Sequence, residues 1–499
     1  MDLVANLALG FETAATWHNL AFCLLGALIG TFIGVLPGIG PVSTVALLLP
    51  FTFALQPVTG LIMLAGIYYG AQYGGSTTAI LINLPGETSS VVTAIDGHAM
   101  AQSGRAGAAL AVAALGSFIA GCLATVVVAG FGPPLSAMAQ HFWAADTFSL
   151  MVLGLVTAVV LAHGSLFKAI AMVLVGVLLG LVGGDPHAGT LRMTLGVPGF
   201  ADGIGFIPVA MGIFGVAEIL RNLERGDPRE ASAAQTGSLL PTRAEWRLAW
   251  PAILRGTGIG SLLGVLPGGG AVLSAFASYA LEKKIAAAPE RFGRGAIEGV
   301  AGPESANNAG AQTSFIPMLT LGIPSNPVMA MMIGALTIHG ISPGPRVVAE
   351  RPELFWGVIA SMWIGNLMLL VINLPLIGLW VRLLAIPYRM LYPAILLFSC
   401  VGVYALGTST LDIVLIAVFG LFGYVLLKYG FEPAPLLLGF VLAPMMEEAL
   451  RRALLLSRGD PMVFVERPIS LGLLVAAALL IVAVAAPAIR RRRRDAFAE

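Results

Sequence analysis

Charged residues are scarce in this chain. Only 11% of its 499 residues are Asp, Glu, Lys or Arg, and 58% are hydrophobic, whereas soluble domains carry about 25% charged residues. No charged residue occurs between Thr13 and Gly86, a stretch much longer than the roughly 20 residues that one helical membrane crossing needs. This composition excludes a soluble fold and indicates several membrane spans.

Cysteine is equally rare, and Cys23, Cys122 and Cys400 each stand alone in an apolar stretch. A cysteine in such a place behaves as a small hydrophobe, and no Cys-x-x-Cys or Cys/His spacing predicts a metal site. The formal net charge of +1 gives no reason to expect a nucleic-acid partner. Walker A, Gly-x-Ser-x-Gly and His-Glu-x-x-His motifs are missing, so we expect neither an enzyme nor a cofactor.

Long apolar stretches predict an all-α polytopic membrane protein with about 10–13 transmembrane helices, some of them broken or re-entrant. The polar segment 221–250 divides the chain into two transmembrane halves, 1–220 and 251–489, and 490–499 is a basic tail. Because arginines concentrate in the 221–250 linker and in the tail, the positive-inside rule predicts that both are cytoplasmic. Lys283, Lys284, Arg291 and Arg294 predict another cytoplasmic loop, which requires the stretch 252–279 to turn back or to be paired with a re-entrant segment.

The two halves share a motif. Residues 34–40, Gly-Val-Leu-Pro-Gly-Ile-Gly, recur at 264–270 as Gly-Val-Leu-Pro-Gly-Gly-Gly, and a looser match relates 76–86 to 313–325. Internal duplication into two homologous halves is the economical explanation. Gly and Pro interruptions at corresponding places in two repeats point to the central binding site of secondary transporters.

Each Pro-Gly loop should break one helix and precede the start of another. Proline removes a backbone donor and glycine permits conformations closed to other residues. The N-terminal amides of the helix that follows suit a carboxylate. The residues predicted to bind substrate are Gly38, Gly40, Ser43, Thr44, Gly268, Gly269, Gly270 and Ser274. The alternative is that these small residues only allow close helix packing.

Hydroxyl and amide side chains cluster between these loops. Neutral oxygens of this kind can coordinate Na⁺, and Glu304 adds an acid for a cation or proton. The predicted cation-binding residues are Ser76, Thr77, Thr78, Asn83, Asn307, Asn308, Thr313, Ser314 and Glu304. For any one hydroxyl, ordinary hydrogen bonding between helices is an equal alternative. Glu87 and Asp96 lie in a more polar stretch that suits a solvated loop.

Together these segments resemble the large membrane subunit of tripartite tricarboxylate transporters, the TctA type. The resemblance rests on residues 34–41, 69–87, 90–108, 264–270 and 291–345, and with length and hydropathy it covers nearly the whole chain. One departure is His98-Ala99, where the family pattern has Tyr-Pro, and it puts only the role of His98 in doubt.

The resemblance implies a cation-coupled secondary transporter in the bacterial inner membrane, driven by Na⁺ or H⁺ and importing a di- or tricarboxylate or another organic carboxylate. It also implies two partners, a small membrane subunit of about four spans and a periplasmic solute-binding protein. The alternative is a self-sufficient secondary anion transporter that needs no binding protein. A membrane enzyme would require a convergent set of acid, base or metal ligands that the sequence lacks, and paired helix breaks disfavour a passive channel.

Overall fold

The computed structural model describes residues 3–36, 40–83, 85–162, 165–185, 189–225, 241–266, 270–383 and 409–485, with isolated positions between 392 and 404. These residues are almost entirely helical, with one short β-hairpin. Five helices are long and apolar enough to cross a membrane, and several shorter apolar helices accompany them. The predicted all-α, multi-span membrane architecture is therefore confirmed, while the count of about 10–13 crossings stays a prediction.

The first half consists of ten helices and one pair of short strands in the part of the chain that the structure describes. Its helices are α1 (Leu3–Ala14), α2 (Trp17–Val35), α3 (Pro41–Thr52), α4 (Pro57–Ile82), α5 (Val91–Gln102), α6 (Ala106–Ala139), α7 (Ala144–Leu161), α8 (Leu166–Gly180), α9 (Phe206–Ala210) and α10 (Ala217–Arg225). A π-helical segment, Met211–Val216, joins α9 to α10 into one crossing. The antiparallel strands β1 (Gly183–Gly184) and β2 (Leu191–Arg192) precede it.

The second half repeats the order of a long helix, a Pro-Gly segment and a helix that turns back. Its helices are α11 (Arg243–Gly264), α12 (Gly270–Ile285), α13 (Glu298–Thr313), α14 (Phe315–Leu321), α15 (Pro327–Ile338), α16 (Pro345–Glu350), α17 (Pro352–Asn373), α18 (Ile377–Leu383), α19 (Thr410–Lys428), α20 (Ala434–Leu456), α21 (Val463–Glu466) and α22 (Pro468–Ala485). The predicted linker 221–250 therefore includes the end of α10 and the start of α11, and residues 226–240 between them lie outside the described part.

Glycine stripes set the closest helix contacts in both halves. In the first half, the stripe consists of Gly26, Gly30 and Gly34 of α2, which face the backbone carbonyls of Met63, Ile67 and Ala71 of α4. In the second half, it consists of Gly256, Gly260 and Gly264 of α11, which face the backbone carbonyls of Gly302, Ala306 and Gly310 of α13. A Cβ atom at any of these glycines would overlap a carbonyl oxygen, so only glycine permits this approach. Both stripes end where a Pro-Gly segment begins.

The chain turns back between α11 and α12. On either side of residues 267–269, α11 and α12 lie next to each other, and Arg255 of α11 forms a 2.6 Å ion pair with Glu282 of α12. The stretch 252–279 therefore turns back, as the basic loop at Lys283 and Lys284 required. Residues 37–39 and 267–269, which include the predicted Gly38, Gly268 and Gly269, lie outside the described residues.

Two ion pairs join the β-hairpin to α20. Arg192 on β2 contacts Glu447 on α20 at 2.7 Å, and Arg451 contacts Asp185 at 2.7 Å. One candidate span, Phe206–Glu224, separates this β-hairpin from Arg225, and the shorter apolar helix α22 separates the end of α20 from the basic tail. The linker and the tail are thus expected on one side, opposite these ion pairs. The tail itself lies outside the described residues.

Candidate functional site

Each half contains a helix that ends in a left-handed residue. Asn83 ends α4 and Gly322 ends α14, both in the left-handed conformation, with φ of 56° and 72°. Four residues later, Glu87 and Asn326 stand at the N-cap positions of the next helical elements. In both halves, a left-handed residue is thus followed four residues later by an N-cap residue.

The side chains at these two caps reach helices of the opposite half. Glu87 accepts a hydrogen bond from the amide of Asn307 at 2.9 Å, and Asn326 donates to the hydroxyl of Tyr68 at 3.5 Å. The carbonyl oxygen of Asn307 in turn accepts from Gln72 at 3.1 Å. Hydrogen bonds thus join α4 to α13, and they join each of these helices to a cap residue of the other half.

The described members of the predicted substrate set, Gly40, Ser43, Thr44, Gly270 and Ser274, lie at the starts of α3 and α12. Ser43 donates to the carbonyl of Phe214 at 2.7 Å, while Thr44 and Ser274 donate to the carbonyls of Gly40 and Gly270 at 3.0 and 2.7 Å. All three hydroxyls are therefore engaged with backbone. The first-turn N–H groups of each helix, which have no partner within the helix, are the donors that these sites can offer to a carboxylate.

Glu304 lies buried in α13 among neutral donors. Ser76 of α4 donates to its Oε2 at 2.7 Å, and Thr93 of α5 donates to its Oε1. In the described part of the chain, no basic side chain pairs with this carboxylate. A buried carboxylate without a cationic partner is costly, so the site is suited to take up a proton or a small cation.

A cavity of about 20 Å³ adjoins Glu304. Its polar lining comprises Tyr73, Ser76, Thr77, Ser117, Glu304 and Asn373. The volume suits about one water molecule or one small ion and is too small for a tricarboxylate. Three of the predicted cation-binding residues, Ser76, Thr77 and Glu304, are therefore brought to one cavity.

The other predicted cation-binding residues lie elsewhere. Thr78, Thr313 and Ser314 donate to the carbonyls of glycines in the two stripes, at 3.2–3.4 Å. Asn83 is exposed at the end of α4, and Asn307 binds Glu87. Asn308 donates to Ser117 at 2.7 Å, at the edge of the cavity. These hydroxyls thus hydrogen-bond to the backbone of a neighbouring helix, and their role as cation ligands stays a prediction.

The expectation of a solvated loop around Asp96 is wrong. Asp96 is fully buried, and one of its oxygens accepts the backbone N–H groups of Gly293, Gly295 and Ala296 at 2.8–2.9 Å. Its other oxygen accepts from the hydroxyl of Tyr279 at 2.9 Å. Glu87 is partly buried, because its carboxylate contacts the amide of Asn307 in the other half. Distant backbone donors make such burial possible, and a local stretch of sequence cannot reveal them.

Four polar residues at this site were not among those predicted from the sequence: Tyr73, Ser117 and Asn373, which line the cavity, and Thr93, which donates to Glu304. Isolated hydroxyls in long helices carry no local signal of function. The spacing of Ser117, Gly121 and Thr125, which places small or polar residues on one face of α6, was the available indication. Among the described residues, no group of three or more His, Cys, Asp or Glu side chains could hold a metal ion.

Comparison with known proteins agrees with a membrane transport subunit. Residues 20–438 match the family described as "Tripartite tricarboxylate transporter TctA family". A relative from Agrobacterium vitis, "Uncharacterized 52.8 kDa protein in TAR-I ttuC' 3'region", is 59% identical over 474 residues, covering 95% of this chain and 94% of its own. A second from the same organism, "Uncharacterized protein in TAR-II ttuC' 3'region", is 64% identical over 215 residues, covering 43% of this chain and 89% of its own.

No solved structure matches the chain. The family match nevertheless spans well over half of its residues, and the first relative covers both chains almost completely. The chain belongs to the tripartite tricarboxylate transporter TctA family, in which it is the large membrane subunit of a three-part transport system.

Proposed function

We propose that the protein is the permease of a cation-coupled secondary transporter that imports an organic carboxylate, of the di- or tricarboxylate class, across a bacterial inner membrane. A periplasmic solute-binding protein delivers the substrate, and a small membrane subunit completes the complex. The observation that carries the proposal is Glu304, a buried carboxylate with only neutral partners, beside a cavity that suits one small ion.

The two halves act as a structural repeat in this proposal. Its support is the pair of matching glycine stripes and the pair of left-handed caps at Asn83 and Gly322. Each half contributes one pair of helices that flank a Pro-Gly segment, α2 with α3 and α11 with α12. Movement of one half relative to the other would then expose a central site to each side of the membrane in turn.

Substrate and cation occupy neighbouring sites. The carboxylates of the substrate bind at the starts of α3 and α12, whose terminal N–H groups and helix dipoles favour negative charge. Na⁺ binds in the Glu304 cavity, where the oxygens of Ser76 and Thr77 are the neutral ligands that Na⁺ accepts. The positive charge of the cation offsets the negative charge of the substrate, so that binding of one favours binding of the other.

Reconstitution tests the proposal. The purified membrane complex is placed in proteoliposomes with labelled carboxylates, with and without the binding protein, while the Na⁺ and pH gradients are varied separately. We expect uptake only with the binding protein and with an inward Na⁺ gradient. Glu304→Gln should abolish the dependence on the cation gradient, whereas Glu290→Gln, an exposed control, should retain it.

The same assay distinguishes the alternatives. Uptake without any binding protein would identify a self-sufficient anion transporter. Uptake driven by a pH gradient alone would assign the coupling to a proton on Glu304. Transport that ignores both gradients would refute the proposal.

A further inference from the structure

Four apolar side chains project from β2 and the segment that follows it. We name this set the hairpin patch, and it consists of Leu191, Met193, Leu195 and Val197, which are 61%, 47%, 89% and 36% exposed. Arg192 and Thr194, which alternate with them, are less exposed. Where the outer face of a hairpin meets water, its apolar side chains normally point inward and its polar side chains outward. The hairpin patch has the reverse pattern, which indicates that another molecule covers it.

The backbone of the hairpin patch is strained. Met193 and Leu195 both have a φ of 52°, in the left-handed region that bulky side chains rarely adopt. Their side chains are exposed, so their own packing does not stabilise this conformation. Strain of this kind persists where the surrounding structure holds it, and it is common at sites that bind a partner or ligand.

Ion pairs hold the hairpin against α20. Arg192 donates two hydrogen bonds to the carboxylate of Glu447, at 2.7 and 3.1 Å, and Arg451 donates two to Asp185, at 3.0 and 2.7 Å. Paired contacts between an arginine and a carboxylate fix the orientation of both groups. The hairpin patch is therefore presented on a fixed base, and a surface that is already ordered loses little freedom when it binds a partner.

The hairpin patch lies beside water on the side of the membrane opposite the linker. One candidate span, Phe206–Glu224, separates the hairpin from the linker, which the positive-inside rule assigns to the cytoplasm. Glu448 and Arg452 lie next to the two paired residues of α20, and both side chains are exposed. Because exposed charges are costly in hydrocarbon, this level of the bundle meets water. An exposed apolar patch with charged residues near it is typical of a contact between proteins.

We propose that the hairpin patch is the surface on which the periplasmic solute-binding protein docks. The inference rests on the proposed function, which requires such a protein. The complementary surface offers apolar pockets to Met193 and Leu195, with a basic group that faces Glu448 and an acidic group that faces Arg452. A water-soluble partner fits this surface, whereas lipid tails or a membrane helix would place the two exposed charges in hydrocarbon.

The affinity of the membrane complex for the binding protein tests the proposal. The full-length complex is placed in lipid nanodiscs, and the purified solute-binding protein of the same transport system is titrated onto it. The double variant Met193→Ser and Leu195→Ser removes two apolar side chains and leaves the ion pairs intact. We expect its dissociation constant to rise by about tenfold or more, because exposed apolar anchors at the centre of an interface carry much of its affinity.

Met138→Ser is the matched control, because Met138 is 53% exposed. It also lies on the side opposite the linker: α6 begins next to Arg105, which bonds to Glu245, and Met138 is about 50 Å farther along the helix. That distance exceeds the roughly 30 Å of the hydrocarbon core. The affinity of this variant should equal that of the unaltered complex. An unaltered affinity in the double variant, or an equal loss in the control, would overturn the docking site.

Protection from labelling is an independent measurement that needs no loss of affinity. Leu195→Cys, in a chain without the three native cysteines, is treated with an impermeant thiol reagent in the same nanodiscs. Binding protein well above its dissociation constant should slow the reaction by about fivefold or more, and Met138→Cys should react at the same rate with and without it. A Leu195→Cys variant that is unreactive without the binding protein would show that lipid or the small membrane subunit covers the patch, and it would refute the proposal.

Failure of the docking site is distinguishable from failure of the proposed function. Uptake that requires the binding protein, together with an unaltered affinity in the double variant, would place the docking site elsewhere and leave the proposed function standing. Uptake without any binding protein would refute both.

Discussion

Asn307 of α13 donates its side-chain amide to Glu87 at 2.9 Å, and this hydrogen bond joins the two halves of the chain. Asn307 lies one helical turn from Glu304 and also accepts from Gln72 of α4. The element that carries the buried carboxylate is therefore bonded to the loop beside the start of α3. Occupancy of the Glu304 cavity and the position of that loop are consequently expected to depend on each other.

Removing hydroxyls from the cavity should weaken cation binding. Ser76→Ala and Thr77→Ala each delete a neutral oxygen beside Glu304, and we expect the Na⁺ concentration for half-maximal uptake to rise about fivefold or more. Saturating Na⁺ should restore much of the rate by mass action. The measurement is uptake by proteoliposomes over a range of Na⁺ concentrations.

Thr157→Ala is the matched control, because Thr77 and Thr157 both donate to the carbonyl four residues earlier. Its Na⁺ dependence should match that of the unaltered protein. If the Ser76 and Thr77 variants also behave normally at limiting Na⁺, those hydroxyls serve packing, and Glu304 alone becomes the candidate for coupling.

Adding a methyl group to a glycine stripe should destabilise the helix pair. A Cβ atom at Gly30 or Gly260 would overlap the backbone carbonyl of Ile67 or Ala306, and overpacking of this kind costs about 1–3 kcal/mol. Gly30→Ala and Gly260→Ala should therefore lower the thermal unfolding temperature in detergent. Gly258→Ala, where nothing lies within 4 Å of the new atom, should leave it unchanged, and equal effects at all three positions would contradict this account.

Asp96 should hold the loop before α13 in place. Asp96→Ala leaves three backbone N–H groups of residues 293–296 without their acceptor, at about 1–3 kcal/mol for each unsatisfied group. We expect faster tryptic cleavage at Arg291 and Arg294 and a lower unfolding temperature. Asp96→Asn retains one oxygen that can accept from these donors, so it should lower the unfolding temperature less than Asp96→Ala does. Cleavage at the unaltered rate in Asp96→Ala would show that the contact does not stabilise the loop.

Labelling of single cysteines should show that the linker and the tail lie on the same side of the membrane, the cytoplasmic side. Placed at position 235 or 496 in a chain without Cys23, Cys122 and Cys400, they should react with an impermeant thiol reagent only after cells are opened. A cysteine at Leu195, in the segment after β2, should react in intact cells, because one candidate span, Phe206–Glu224, separates this segment from the linker. Labelling of either arginine-rich segment from outside would refute the topology.

Composition and local pattern were enough to determine the class of this protein. The scarcity of charged residues indicated a membrane protein, because an apolar stretch as long as the one between Thr13 and Gly86 is long enough for several membrane crossings. Proline and glycine at 37–38 and 267–268 marked where helices must end, because their effect on the backbone is local. The described helices do end and begin on either side of those segments.

Which polar residues meet was decided only by the tertiary structure. Ser76 and Thr78 look alike in the sequence, yet Ser76 binds Glu304 while Thr78 binds the carbonyl of Gly34. Asp96 is buried because donors nearly 200 residues away surround it. A side chain's role depends on the rotation of its helix and on partners brought near by packing, and neither is contained in the residues next to it.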